Sequence, residues 1–258
     1  MSTIVVWGAG ELGGRVAVAL ARAGHDVVAC TATTARHPAL GAAGVRTHLG
    51  PPGLLGPDDR LLLALPGSEK QIMATSMLST RPPPARVVLI SSTGYYGTAH
   101  GHVDEDTPPA ILEPHAGLVA ASEATFRAWA GERGVVLRTG GLYRPGRGPL
   151  SALQRSGAPP PGPPDKTLAL VHYDDAAAAA TAALLRPQPQ PVYLVVTPPC
   201  PTREAFYTAA CVMLDLPLPT FGKKLGRPEA AYDVGRLRAD LLPVPAHPRW
   251  QEALLPPK

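Results

Sequence analysis

Residues 8–13 read Gly8-Ala-Gly10-Glu-Leu-Gly13, which fits the spacing G-x-G-x-x-G. Each glycine would do something a side chain obstructs. Gly8 permits a tight turn, Gly10 lets the main chain approach a pyrophosphate, and Gly13 lets a helix lie close on a strand. Amides at the start of that helix are free to donate to phosphate oxygens, so Glu11 and Leu12 belong to the same candidate cradle. At the end of the next strand an NAD site places an Asp or Glu for the ribose hydroxyls. This sequence has no acidic residue between Asp26 and Asp58 and offers Thr31, Thr33, Thr34 and Arg36 instead. Hydroxyls and a guanidinium suit a 2′-phosphate, so NADP is the favoured cofactor and NAD the less favoured one. The alternative for Arg36 is an ordinary solvated loop charge.

The glycine pattern means something only between a strand and a helix. Residues 4–7 are apolar and supply the strand. Leu12, Val16 and Leu20 fall on one helical face, and Gly24 stops the helix. Further strands are expected at 26–31, 60–65, 86–91, 134–139 and 192–197. Helices are expected at 68–80, 117–131, 174–186 and 202–214, with a polar helical stretch at 228–241. Strands alternating with helices predict an α/β fold with a Rossmann-type, doubly wound parallel sheet. Residues 144–166, which include Pro159-Pro160-Pro161, predict a loop at the rim of the site. Asp174 and Asp175 fall at the start of the Ala-rich helix and are expected to cap it. Asp104, Glu105 and Asp106 are expected in a solvated loop.

Composition narrows the partners. The 258 residues suit one large α/β domain, or one with a small appendage. No apolar run reaches the roughly 18 residues a membrane span requires. Residues 4–7 run straight into glycines with no basic segment before them, so no signal peptide is expected. The three cysteines have no metal spacing and cannot all pair, which fits a reducing, cytoplasmic setting. The net charge of +4 is scattered, without a Lys/Arg run interleaved with aromatics, so nucleic acid is not an expected partner. No His/Cys/Asp grouping has metal-ligand spacing, so no metal is expected. The expected partner is a small-molecule substrate, with a homodimer left open.

Several segments in order resemble the extended short-chain dehydrogenase/reductases, the NAD-dependent epimerase/dehydratase family, and its small atypical branch above all. Ile90-Ser-Ser-Thr-Gly-Tyr-Tyr-Gly97 resembles the family's strand ending in Ser-Ser and leading to Tyr-Gly. Glu105-Asp-Thr-Pro108, Gly141-Leu-Tyr-Arg-Pro-Gly-Arg147 and Val171-His-Tyr-Asp-Asp175 resemble its acidic-proline loop, its Tyr-Gly-Pro-Gly-Arg turn and its His-x-Asp-Asp helix opening. Leu216-Pro-Leu-Pro219 and Gly235-Arg-Leu-Arg238 resemble C-terminal markers of the branch. The resemblance implies a dinucleotide-binding domain over 1–142 and a substrate-capping lobe over 143–258, with the 172–198 helix and strand returning to the first domain. It implies that Leu65, Pro66, Ser91, Leu142 and Tyr143 also border the cofactor. It places Ser92 where the family has the Ser/Thr that hydrogen-bonds the reacting oxygen.

One departure from the family concerns the chemistry itself. Family enzymes exchange the proton through a Tyr whose pKa is lowered by a Lys four residues later. There is no Tyr between Gly97 and Leu142 and no Lys between Gln71 and Asp165. Aligned on Glu123, those two positions hold His115 and Val119. A histidine is a suitable side chain for a substitute proton donor, which makes His115 a candidate beside the alternative of an ordinary loop or helix-start histidine; Tyr96, Tyr143, Tyr95 and His172 are further candidates, with Tyr96 and Tyr143 read mainly as pocket walls. Two functions therefore stay open: an NADP(H)-dependent oxidoreductase or epimerase-like enzyme acting on a small carbonyl or hydroxyl compound, and a cofactor-binding regulator or partner subunit without hydride chemistry.

Overall fold

The computed structural model describes residues 2–158 and 162–254. In chain order these form β1 (Ile4–Trp7), α1 (Glu11–Arg22), β2 (Val27–Thr31), α2 (His37–Ala42), β3 (Arg46–Leu49), β4 (Arg60–Leu63), α3 (Ser68–Leu78), β5 (Arg86–Ser92), β6 (Gly101–Val103) and α4 (Pro114–Ala130). There follow β7 (Gly134–Thr139), β8 (Gly141–Tyr143), α5 (Pro149–Ser156), β9 (Leu170–His172), α6 (Tyr173–Leu185), β10 (Val192–Val195), α7 (Arg203–Met213), β11 (Ala230–Tyr232) and α8 (Gly235–Asp240). Seven strands make one parallel sheet in the order β10-β7-β5-β4-β1-β2-β3. The winding reverses between β1 and β4, and the crevice at the carboxyl ends of such strands is where open α/β sheets bind ligands.

Alternate residues of the strands feed two cores. Val6, Leu62, Val88, Val135 and Leu137 point to the face covered by α1 and α6. Val5, Leu61, Leu63, Val87, Leu89 and Val136 point to the other, where Phe126 of α4 packs. This period of two, with both faces covered, is why these strands read as continuous apolar runs. Helix α1 buries Leu12, Val16 and Leu20 and ends at Gly24, whose φ of +86° favours glycine. A third, smaller core gathers Tyr143, Leu150, Leu153, Phe206, Tyr207 and Cys211 from β8, α5 and α7.

Three stretches differ from the sequence expectation. The 144–166 segment holds α5, which begins at Pro149 and stops at Gly157 in the left-handed region; Pro159, Pro160 and Pro161 lie outside the described residues. The 228–241 stretch is strand β11, paired with β6, followed by the single turn and a half of α8, so the uniform helix is corrected. Short β3 and α2 have too few residues to display a period.

Candidate functional site

At the reversal of winding lies a cleft of about 810 Å³, within the usual range for ligand sites. Its floor is Trp7 to Gly10, its walls are Cys30 to Thr33 with Arg36, and Ala64 to Pro66, and its rim is Lys70, Met73 and Met77 of α3. Gly8 turns the chain at φ +98°, where a Cβ would lie 2.6 Å from the Ala64 carbonyl oxygen. A Cβ on Gly13 would collide with the Gly8 carbonyl, so this glycine sets the closeness of α1 to β1. Gly10 is different: a Cβ there meets nothing nearer than the Gly8 oxygen at 4.0 Å. Packing does not require a glycine at 10, whereas a ligand approaching the main chain there would. Gly10 also holds the cap position of α1 and has no side chain to occupy the first-turn amides. The glycine loop therefore fits a dinucleotide pyrophosphate on its own geometry.

The wall after β2 carries hydroxyls and one cation. Thr31 Oγ1 donates to the Thr33 carbonyl at 2.8 Å and meets His37 Nε2 at 2.7 Å, which fixes the loop. Arg36 lines the cleft; Thr34 is in the same loop, where its carbonyl takes the His37 amide. Sequence reasoning missed Lys70 and the two methionines. The signal was available: Lys70, Met73 and Met77 share one face of the helix that follows Pro66-Gly67. Gln71 anchors this helix by donating to the Leu65 and Ile90 carbonyls, both at 2.9 Å, and by accepting from Ser122.

Glu11, in the first turn of α1, accepts from Arg144 Nε at 2.9 Å and Arg15 Nη2 at 3.1 Å, and lies 3.7 Å from Arg36 Nη1. Burial works against its ionisation, but the hydrogen bonds from Arg144 and Arg15 outweigh it and hold the carboxyl below its ordinary value. Cys30, buried at the back of the cleft, has its thiol pushed up to about 11 by burial, and Cys200 likewise. Neither is a nucleophile at neutral pH.

Beyond the cleft, at the end of β5, the turn 93–96 brings two candidates together. Ser92 Oγ accepts the Gly94 amide at 3.0 Å, which leaves its own proton free to donate. A Cβ on Gly94 would lie 2.6 Å from His115 Nε2 and 3.2 Å from Ser92 Oγ, so both polar atoms close on Gly94 and take the room a side chain there would need. His115 reaches it from the exposed first turn of α4, and Ser92 is half-buried.

The other candidates are committed elsewhere. Tyr96 is corrected as a proton donor. Its buried hydroxyl donates to the Asp104 carbonyl and accepts from Arg138 Nη1, both at 2.8 Å, and burial pushes it up to about 12. Ser91 donates its hydroxyl to buried Glu123 at 2.6 Å, so only its main chain could face a cofactor. Glu123 also holds Arg138, whose guanidinium lies 3.5 Å from the Tyr95 ring centroid. Tyr143 is buried in the small core with its hydroxyl turned to the Arg249 carbonyl, and its neighbour Leu142 is partly buried. Val119, at the position of the family lysine, is buried in the main core.

Two acidic expectations also change. Glu105 is buried and accepts the Leu194 amide at 2.9 Å, with burial raising its carboxyl, so it is no solvated loop residue. Helix α6 is capped by His172, whose Nδ1 accepts the Asp174 amide. Buried Asp175 instead accepts the amides of Ala246 and His247 at 2.7 and 3.0 Å. The chain also brings His172, Asp174 and His247 together, with candidate ligand atoms within 4.8 Å. No sequence spacing could show this. Their atoms are already engaged: Asp174 pairs with Arg15, His247 Nδ1 with Glu252, and the two imidazoles stack at 3.6 Å.

No protein-family model matches the chain. Protein YeeZ of Escherichia coli is 28% identical, over 87% of this chain and 88% of its own. The UDP-glucuronic acid 4-epimerase of Bacillus cereus, solved with UDP-glucuronic acid and NAD, superposes with a TM-score of 0.74 at 19% identity, covering 98% of this chain and 96% of that one. A human epimerase family protein, solved with NADPH, gives a TM-score of 0.71 at 19% identity, covering 98% of this chain and 97% of that one. This chain has the fold of the NAD-dependent epimerases. The glycine loop lies at the winding reversal of that fold, as a Rossmann-type dinucleotide site requires. Among the described residues no helix is long and apolar enough to cross a membrane.

Proposed function

We propose that the cleft binds NADP(H) and that the chain is an epimerase-like oxidoreductase acting on a small carbonyl or hydroxyl compound at the end of β5. The glycine loop and the first-turn amides of α1 would hold the pyrophosphate. Thr33, Arg36 and Lys70 would surround the adenosine end, and a cationic wall without a carboxylate after β2 suits a 2′-phosphate. The cofactor, when bound, supplies or accepts the hydride. Proton and charge fall to the chain's own groups. Ser92 donates a hydrogen bond to the reacting oxygen, where negative charge develops, and His115 Nε2 supplies or removes the proton. The observation that supports this reading is that Ser92 Oγ and His115 Nε2 both close on Gly94 at the end of β5. A screen of aldehydes, ketones and nucleotide sugars with NADPH tests it. Ser92→Ala should cut kcat by about tenfold to a hundredfold and leave NADPH binding intact. His115→Ala should likewise cut kcat with NADPH binding intact. Full activity in both variants refutes the assignment.

A second reading is favoured by the loss of the usual acid/base pair: Val119 is buried hydrocarbon, and the Tyr96 hydroxyl is sealed. In that reading the protein holds the dinucleotide and reports its presence to a partner. No turnover across the screen, together with tight NADPH binding, would establish it.

A further inference from the structure

The Glu11 carboxylate has no part in the cofactor reading. A phosphate cradle made from a helix N-terminus and arginines is weakened by a fixed negative charge beside it. Yet Glu11 sits in the first turn of α1 and gathers guanidiniums from three elements: Arg15 on α1, Arg36 after β2 and Arg144 after β8. Arg15 and Arg144 bind it closely and keep it in place. Arg36 is the most distant of the three, at 3.7 Å.

Arg36 stands on a ridge between two spaces. It lines the large cleft, and it also lines a smaller groove of about 320 Å³ along α1, beside Arg15, Arg22 and Leu40. Its guanidinium is folded back toward α1, where a Cβ on Gly14 would lie 3.3 Å from Arg36 Nη2. The side chain is 46% exposed, so the cost of turning it is small. The cation assigned above to the 2′-phosphate thus also reaches toward an internal carboxylate.

We propose that Glu11 is a built-in competitor for Arg36 and thereby sets how strongly the cleft prefers NADP(H) over NAD(H). This rests on the reading that the cleft takes NADP(H) with Arg36 on the 2′-phosphate. The phosphate gains Arg36 only by drawing it from Glu11, so part of the 2′-phosphate contact is spent on breaking that pair. NADH, without the 2′-phosphate, leaves Arg36 where it is.

The test is calorimetric titration of NADPH and of NADH into the wild type, Glu11→Gln, Arg36→Ala and the double variant, with thermal unfolding as the folding check. Glu11→Gln should raise the ratio of NADPH to NADH affinity by about three- to fivefold, the worth of one half-exposed ion pair. The double variant should show the same ratio as Arg36→Ala alone. Equal tightening of both cofactors, or a rise in ratio that persists without Arg36, overturns the proposal while the cofactor reading stands. Should Arg36→Ala keep the wild-type ratio, the cofactor reading fails at Arg36 and the competition falls with it. If Glu11→Gln does not fold, Glu11→Asp keeps the charge but withdraws it from Arg36, and the same direction is expected; an unchanged ratio refutes the proposal.

Discussion

Gly8 and Gly10 are two residues apart and should fail in opposite ways. Gly8 holds φ at +98°, with the Ala64 carbonyl 2.6 Å from where a Cβ would go. Placing alanine there costs backbone strain and a collision with main chain that cannot move aside, together about 3 kcal/mol. For a chain of this size that lowers Tm by roughly 6–12 °C. Gly10 has no positive φ and no neighbour within 4.0 Å of its Cβ position. Gly10→Val should cost only the difference between a good and a poor cap residue, about 1 kcal/mol, or roughly 2–4 °C. Its branched side chain would instead fill the cleft beside the first-turn amides. Losing two or more charged hydrogen bonds to the pyrophosphate should weaken NADPH by at least about a hundredfold. The assay is a melting curve followed by fluorescence titration with NADPH for each variant. The reasoning is refuted if folded Gly10→Val binds NADPH like the wild type, or if it melts as low as Gly8→Ala.

Three further outcomes follow from other contacts. Arg36→Ala should narrow the gap between NADPH and NADH affinities by about tenfold or more, the worth of a charged contact to phosphate; equal wild-type affinities for the two cofactors would refute the NADP assignment. Asp175→Ala leaves the amides of Ala246 and His247 without their buried acceptor, which should lower stability by about 1–3 kcal/mol and raise hydrogen exchange at those two residues; unchanged exchange there counts against the clasp. Burial first, and then His247, hold the His172 imidazole below its ordinary value, so its contribution is full above the unfolded value of about 6.5 and is lost as pH falls from there through the lower native value. His172→Asn keeps a cap acceptor for the Asp174 amide and should flatten that acid limb of the Tm profile; an unaltered limb assigns it to another group.

Legibility in the sequence followed locality. The strand–glycine–helix unit at 4–22 was readable because most of what shapes it is local: Gly8 turns at positive φ and Gly13 lies against the Gly8 carbonyl, although the Ala64 carbonyl that also crowds Gly8 comes from a distant strand end. The Ser92–His115 pairing was half readable: each residue stood out, but their meeting depends on Gly94 having no side chain, which is a packing fact. The fate of Tyr96 was hidden. Its hydroxyl is sealed by Arg138, which is itself held by Glu123, and that chain of contacts crosses three elements. Glu105 misled because charged triplets are usually solvated, whereas here the central one turns inward to the Leu194 amide. Asp175 looked like a cap by position, but the His172 ring accepts the Asp174 amide, and the Asp175 carboxylate serves a segment some seventy residues further on, beyond the reach of any local rule.

The packing of α1 against α6 has a consequence for the growing chain. The face of α1 that carries Val16 and Leu20 belongs to the same core as Ala176, Ala179, Ala180 and Ala183, whose small side chains let the two helices approach closely. The phosphate loop is made first at the ribosome, but the helix that braces it is among the later parts to emerge. Until Tyr173–Leu185 has been synthesised, α1 can pack only on the early strands and α2, and the part of its apolar face that α6 covers stays exposed to water. The glycine loop therefore gains its last brace late in translation, when the Ala-rich segment docks. A nascent chain halted before residue 173 should be a client for chaperones, although it already contains every glycine of the loop.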